Sequence, residues 1–137
     1  MRVVLSGSMR HEAAIAAVAS VLARRGHDVH VPAPTPPGVD PQRLDAQGQV
    51  ALKAGFVADH LAAIRAADAL LVVNVDTREA RGYVGASALV ELAFATALAV
   101  PTFLLHSPGP QPHQLDVLAL QPVILDGDPM GVESVTT

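Results

Sequence analysis

The chain has no cysteine and no tryptophan, and with one tyrosine and three phenylalanines its aromatics make up 3% of 137 residues. Without cysteine there is no disulfide framework and no thiolate nucleophile or metal ligand, which fits a cytoplasmic protein. With so few aromatics, Ala, Val and Leu must fill the interior of a sequence that is 50% hydrophobic. Small residues of that kind suit close packing of helices on a sheet. No apolar run reaches the roughly 18–20 residues of a membrane span, so no membrane association is expected. The opening RVVLSGS is too short and too strand-like for a secretory leader. An excess of basic residues is missing too: nine against thirteen acidic ones leave a net charge of −4. That argues against a nucleic-acid polymer as partner. A mononucleotide remains possible, since it needs only a cation or two and some backbone N–H groups.

What is present is an alternation of strand-like and helix-like segments. Arg2–Ser6 reads as a buried strand, His11–Arg25 as a helix stopped by Gly26, and Asp28–Val31 as a second strand. Pro32–Pro41 holds five of the eleven prolines and reads as a surface loop. Arg43–Ala67 has helical propensity, with breaks expected near Gly48 or Gly55. Ala69–Val75 is the most continuous β run and should be a central strand buried on both faces. A loop over Asp76–Gly85, an apolar helix from Ala86 to Val100, a strand over Thr102–His106, a weak helix around Gln114–Leu120 and a strand over Val123–Leu125 complete the series. The pattern predicts one α/β domain over residues 1–126, followed by a loose tail over 127–137. Its architecture should be a Rossmann-like or flavodoxin-like three-layer sandwich with a mostly parallel sheet of about five strands. In such sheets ligands bind beyond the carboxyl ends of the strands, where three loops should meet: Ser6–Arg10, Asn74–Gly85 and His106–His113.

One carboxylate stands out. ASALVELAFATALAV, from Ala86 to Val100, contains only Ser87, Glu91 and Thr96 besides apolar residues. A helix apolar on nearly every face is normally buried, and a buried carboxylate without a partner costs several kcal/mol or takes up a proton. Glu91 is therefore either paired structurally or used. A capping box would place the acid three residues after the cap, whereas Glu91 comes four after Ser87, on the same helical face. An acid near a helix start is still favoured by the dipole.

Other candidates lie on the expected loops. Ser6-Gly7-Ser8-Met9-Arg10 could bring backbone N–H groups, the Ser8 hydroxyl and the Arg10 guanidinium to an oxyanion. It could equally be a plain strand-to-helix turn with Ser8 as a cap. It is neither a Walker loop nor a dinucleotide fingerprint. Asp59 and His60 precede the central strand on a helix; one of them could reach a ligand, though such residues are more often solvated. Asn74 and Asp76 follow that strand, and Tyr83, Gly85 and Ser87 lead into the apolar helix. The six histidines match no metal-binding spacing, and there is no acyl-transfer elbow, so neither a metal nor a cofactor is expected.

With these residues in view, the sequence resembles the nucleoside 2-deoxyribosyltransferase-like superfamily, which includes 2′-deoxynucleoside 5′-phosphate N-hydrolases and CMP hydrolases. The matching pieces are Gly7-Ser8-Met9-Arg10, the run from Ile64 through Asp68 to Asn74, and Gly82-Tyr83-Val84-Gly85-Ala86-Ser87 with Glu91-Leu92-Ala93-Phe94-Ala95. Ala99-Val100-Pro101 fits as well, so the likeness runs in order over about residues 3–105. It implies that Glu91 attacks, or stabilises the cation at, the anomeric carbon of a nucleoside or nucleoside 5′-monophosphate. It also implies that Ser8 and Arg10, with Ser87, hold a 5′-phosphate. Three departures stand out. His60, with Asp59 beside it, falls where active relatives carry an aspartate. Gly85 lies six residues before Glu91, a spacing closer to uncharacterised members. The tail shows no match to the segment with which the transferases complete a neighbouring subunit's site.

The first expectation is thus an N-glycosidic-bond enzyme, more hydrolase than transferase. The alternative is a binding or sensing domain that kept a nucleotide pocket and lost the chemistry, which His60 in place of an acid favours. A phosphoribohydrolase of the lysine-decarboxylase-like type would need a proline-glycine-glycine opening and a longer chain. Self-association as a homodimer is expected, because one sheet leaves part of the apolar helix uncovered.

Overall fold

Short apolar runs rich in Val and Leu form the strands Arg2–Ser6 (β1), Asp28–His30 (β2), Ala69–Val72 (β3), Thr102–Leu104 (β4) and Val123–Ile124 (β5). Between them lie the helices Glu12–Arg24 (α1), Ala46–Arg65 (α2), Ala86–Ala97 (α3) and Gln114–Ala119 (α4). The computed structural model describes residues 1–136. All strand pairs are parallel, in the order β2-β1-β3-β4-β5. Val3 pairs with Ala69 and Ser6 with Val72 in the central register. The expected α/β class and five-stranded parallel sheet are what the chain adopts.

Alternation along the strands splits the core into two layers. Val3, Leu5, Ala69, Leu71 and Phe103 pack on one side with Ile15, Val18 and Leu22 of α1. Val4, Leu70, Val72 and Leu104 pack on the other with Ile64 of α2, Ala88, Leu92 and Ala95 of α3, and Val117 of α4. Ser6 ends β1 in phase with Val4, which turns its side chain toward the α2–α3 layer. The chain leaves β1 on one side to reach β2 and returns on the other to reach β3. The switch in strand order therefore lies between β1 and β3, the place where such sheets bind ligands.

Two details differ from the sequence reading. α2 is a single helix with no break at Gly48 or Gly55, because the Asp45 side chain caps it by accepting from Gly48 N at 2.7 Å. Of the tail expected to be loose, Pro129–Thr136 forms 3₁₀ turns, with Val132 fully buried in the α1 layer and Glu133 bonded to Arg25, while residue 137 lies outside the described residues. As expected of a single sheet, it covers α3 incompletely: Ala88, Leu92 and Ala95 are buried, Leu89 and Phe94 partly so, and Val90 is 55% exposed. A sheet covers one stripe of a helix, and the opposite stripe of this apolar helix finds no second layer.

The expected meeting of three loops is found at the carboxyl edge. Val73 N donates to Ser6 O at 2.8 Å, continuing β3 alongside β1. Asn74 donates to the carbonyls of His106 (2.7 Å) and Gly82 (3.1 Å) and accepts from His106 N at 2.9 Å. Gln111 accepts from Val84 N at 2.9 Å, and Gly109 N donates to Arg81 O at 2.7 Å. Gly82 has φ 58°, and a Cβ there would run into the Ser107 carbonyl oxygen, so this crossing of two loops demands glycine.

Candidate functional site

Glu91 lies in the second turn of α3 with its side chain 16% exposed, and both carboxylate oxygens are held. Oε2 accepts from the Ser6 hydroxyl at the end of β1. Oε1 is 2.6 Å from Nδ1 of His60, whose side chain on α2 is 9% exposed. The other imidazole nitrogen, Nε2, is 3.0 Å from Leu5 O. A carbonyl only accepts, so Nε2 carries hydrogen. A neutral ring then has no hydrogen on Nδ1, yet the 2.6 Å contact requires a proton between Nδ1 and Oε1. The unit therefore holds one proton more than a neutral histidine beside a bare carboxylate. As imidazolium and carboxylate it is a charge-assisted pair, the short and strong kind. The donor from Ser6 fits that form, because it meets an acceptor oxygen. Three elements thus fix one carboxylate: a strand end below, α2 on one side and α3 itself.

His30, at the end of β2, packs against His60 with ring centroids 5.6 Å apart and the rings tilted by 31°. Its pKa is lowered by burial first and by the neighbouring His60 charge second.

The pair is closed on one side and open on the other. A cavity of about 200 Å³ lies between α2 and α3, lined by Lys53, Val57, Leu61, Ala86, Ser87, Val90 and Glu91. α3 begins at Gly85 without a side-chain cap, and Ser87 sits exposed in its first turn. Ser87 is thus a lining residue and not the cap of α3.

A second cavity of about 430 Å³ opens beyond the other side of the β1 turn, lined by Arg10, His11, Asp76, Thr77, Arg78 and Glu79. The Ser8 hydroxyl caps the turn after β1, accepting from Arg10 N at 3.2 Å and Arg10 Nε at 3.4 Å. The Glu79 carboxyl is held below its usual range, chiefly by a hydrogen bond from Thr77, with smaller help from Arg10 and Arg78.

The sequence candidates thus sort by place. Glu91 and Ser87 line the first cavity, with His60 behind Glu91. Arg10 and Asp76 stand at the second, with Gly7, Ser8 and Met9 on the turn between. Asn74 is 1% exposed and its amide is spent on the loop crossing. Asp76 accepts from Gly82 N at 2.8 Å. Tyr83 is half-buried beside Gly85, its ring 3.5 Å from where a Cβ would stand. Asp59 is exposed on α2, where its charge acts on His30. Ser6, Lys53 and Gln111 were not among the candidates. Strand alternation from Val4 signals Ser6, and the spacing Lys53, Val57, Leu61 on one helical face signals Lys53. Among the described residues no cluster of three or more His, Asp or Glu could hold a metal ion, and no helix is long and apolar enough to cross a membrane.

No family model matches the chain, and no curated protein matches it in sequence. Solved structures do. A 2-deoxyribosyltransferase from the psychrotolerant bacterium Bacillus psychrosaccharolyticus superposes with a TM-score of 0.67 at 17% identity, over 97% of this chain and 90% of that one. A conserved protein from Enterococcus faecalis V583 gives 0.50 at 16% identity, over 98% and 87%. At these identities the likeness is one of fold. The chain has the fold of the deoxyribosyltransferase over nearly its whole length, the level at which the sequence resemblance is met.

Proposed function

We propose that the protein cleaves the N-glycosidic bond of a nucleoside or nucleoside 5′-monophosphate, with Glu91 acting at the anomeric carbon. The observation that carries this reading is a carboxylate that lines a cavity and is pinned there by donors from two other elements. Such a group suits a reaction in which positive charge develops at C1′. The C1′–N bond breaks and its electron pair leaves with the base. Glu91 either forms an ester to C1′ or stabilises the cation there. Water then attacks C1′, displacing the Glu91 carboxylate where an ester has formed, and its proton leaves with the base or to solvent, giving the free sugar or its 5′-phosphate; a second base in place of water would make the enzyme a transferase. Ser6 and His60 act by aiming the carboxylate. The deoxyribosyltransferase fold supports a nucleoside-type substrate, and the proposed setting is a soluble, cytoplasmic homodimer.

The test is base release, followed chromatographically over a panel of nucleosides and their monophosphates. Glu91→Gln should lose at least about a hundredfold of the rate, as removal of one transition-state contact does, while circular dichroism and melting stay close to wild type. Unchanged turnover in Glu91→Gln would sink the mechanism. One observation favours a second reading: both oxygens of Glu91 are already engaged. Tight nucleotide binding by calorimetry with no product would mark a sensing domain instead.

A further inference from the structure

The first cavity contains a cation that nothing above has used. Lys53 lines the wall opposite Ala86 and Ser87. α2 has 20 residues and so runs about 30 Å, roughly twice the length of β1. His60 sits level with the end of β1 through its bond to Leu5 O. Lys53 precedes it by seven residues, so about 10 Å farther along the helix axis, on the half of α2 that overhangs the carboxyl edge of the sheet. Glu91 and Lys53 therefore line one opening, about two turns of α2 apart.

Their charges are not balanced alike. Glu91 is answered by His60, whereas Lys53 forms no ion pair among the described residues. The cations of the second cavity already face acids, Asp76 and Glu79, and Arg10 is turned onto its own Ser8. The wall between Lys53 and Glu91 is apolar, built from Val57, Leu61 and Val90, and suits the faces of a sugar and base.

We propose that Lys53 is the anion anchor of the Glu91 cavity, so that the substrate is a nucleoside 5′-monophosphate and not a free nucleoside. The inference rests on the reading of Glu91 given above and narrows it to one substrate class. The sugar ring separates the 5′-phosphate from C1′ as the cavity separates the ammonium from the carboxylate. A neutral nucleoside leaves Lys53 unmatched, whereas a phosphate gives it a charge-assisted partner.

The experiment compares nucleosides with their 5′-monophosphates on wild type and Lys53→Met, which keeps the side-chain volume and removes the charge. A charge-assisted contact of about 1.5–3 kcal/mol corresponds to roughly a ten- to hundredfold rise in KM for monophosphates. We expect that rise with kcat within about twofold, inorganic phosphate inhibiting wild type competitively, and inhibition weakened to the same degree in Lys53→Met. Equal use of nucleoside and monophosphate by wild type would overturn the proposal. So would a larger loss in Arg10→Ala than in Lys53→Met, which would put the phosphate in the second cavity. Calorimetry in the Glu91→Gln background separates this inference from the chemistry. Monophosphate binding that weakens in Lys53→Met upholds the anchor even where wild type releases no base; binding that does not weaken removes it.

Discussion

Glu91 is held by two donors of different character, and the difference decides how its neighbours act. Ser6 offers a neutral hydroxyl from a strand end that cannot move without the sheet. His60 brings a ring whose orientation is set by Leu5 O, so it can support a developing ester or cation without rearranging. Removing it leaves the Leu5 carbonyl and one carboxylate oxygen unpaired, a cost of about 1–3 kcal/mol in stability. His60→Ala should also lower kcat on the order of a hundredfold through misplacement of the carboxylate, with KM changed far less. Imidazole added to His60→Ala should restore part of the rate, an effect that a purely structural histidine would not show; a rate loss that scales with KM and resists imidazole argues against the positioning role. At this scale Glu91 was legible because it is the lone acid of an apolar run. His60 was visible only as one of two adjacent polar residues, since a residue's partner across the fold has no sequence neighbour to announce it. Lys53 was hidden among exposed positions of α2, since its shared face with Val57 and Leu61 gains meaning only once a cavity is known to lie against it.

The helices show where burial and chemistry diverge. α2 has only His60 and Ile64 buried, and its first half stands over the sheet edge with the Asp45 cap to close its start. That overhang creates the cavity wall. α3 poses the opposite problem, being apolar around its circumference yet covered along one stripe. Val50 of α2, 69% exposed and outside the lining of the Glu91 cavity, leaves apolar surface free beyond the wall that Val57 and Val90 form. Burying it against a second copy gains about 25 cal/mol per Å². Light scattering should therefore give close to twice the 14.2 kDa of one chain. Val50→Lys should shift the species toward monomer, and a wild type that is monomeric at all concentrations would remove this expectation. Strand and helix alternation was readable because continuous Val and Leu runs and amphipathic stretches carry their period locally. That part of α3 stays uncovered was expected, but which stripe was not legible, because alanines and valines look the same whether a layer lies against them or not.

The molecule as a whole is closed by its ends. The amino terminus lies 3.3 Å from Nδ1 of His27, whose Nε2 meets Glu133 Oε1 at 2.8 Å, and Arg25 donates to the same carboxylate at 3.0 Å. Val132 beside it is buried under α1, so the closing 3₁₀ turns complete the layer that α1 alone leaves open. The sequence after Asp126 offered no periodicity from which this could be read, since a few buried side chains on irregular turns have no repeat. The chemistry of the clamp makes it sensitive to acid. The Glu133 carboxyl is lowered to about 2 from 4.5, by the Arg25 hydrogen bond first and His27 second. A carboxylate depressed in the folded state is protonated more readily in the unfolded chain, so its contribution is present in full above pH 4.5 and lost as pH falls toward 2. Glu133→Gln should therefore melt lower than wild type at neutral pH, with the two curves converging through that window. A gap between them that stayed constant from neutral pH to pH 2 would show that the ion pairs at Glu133 do not couple folding to protonation.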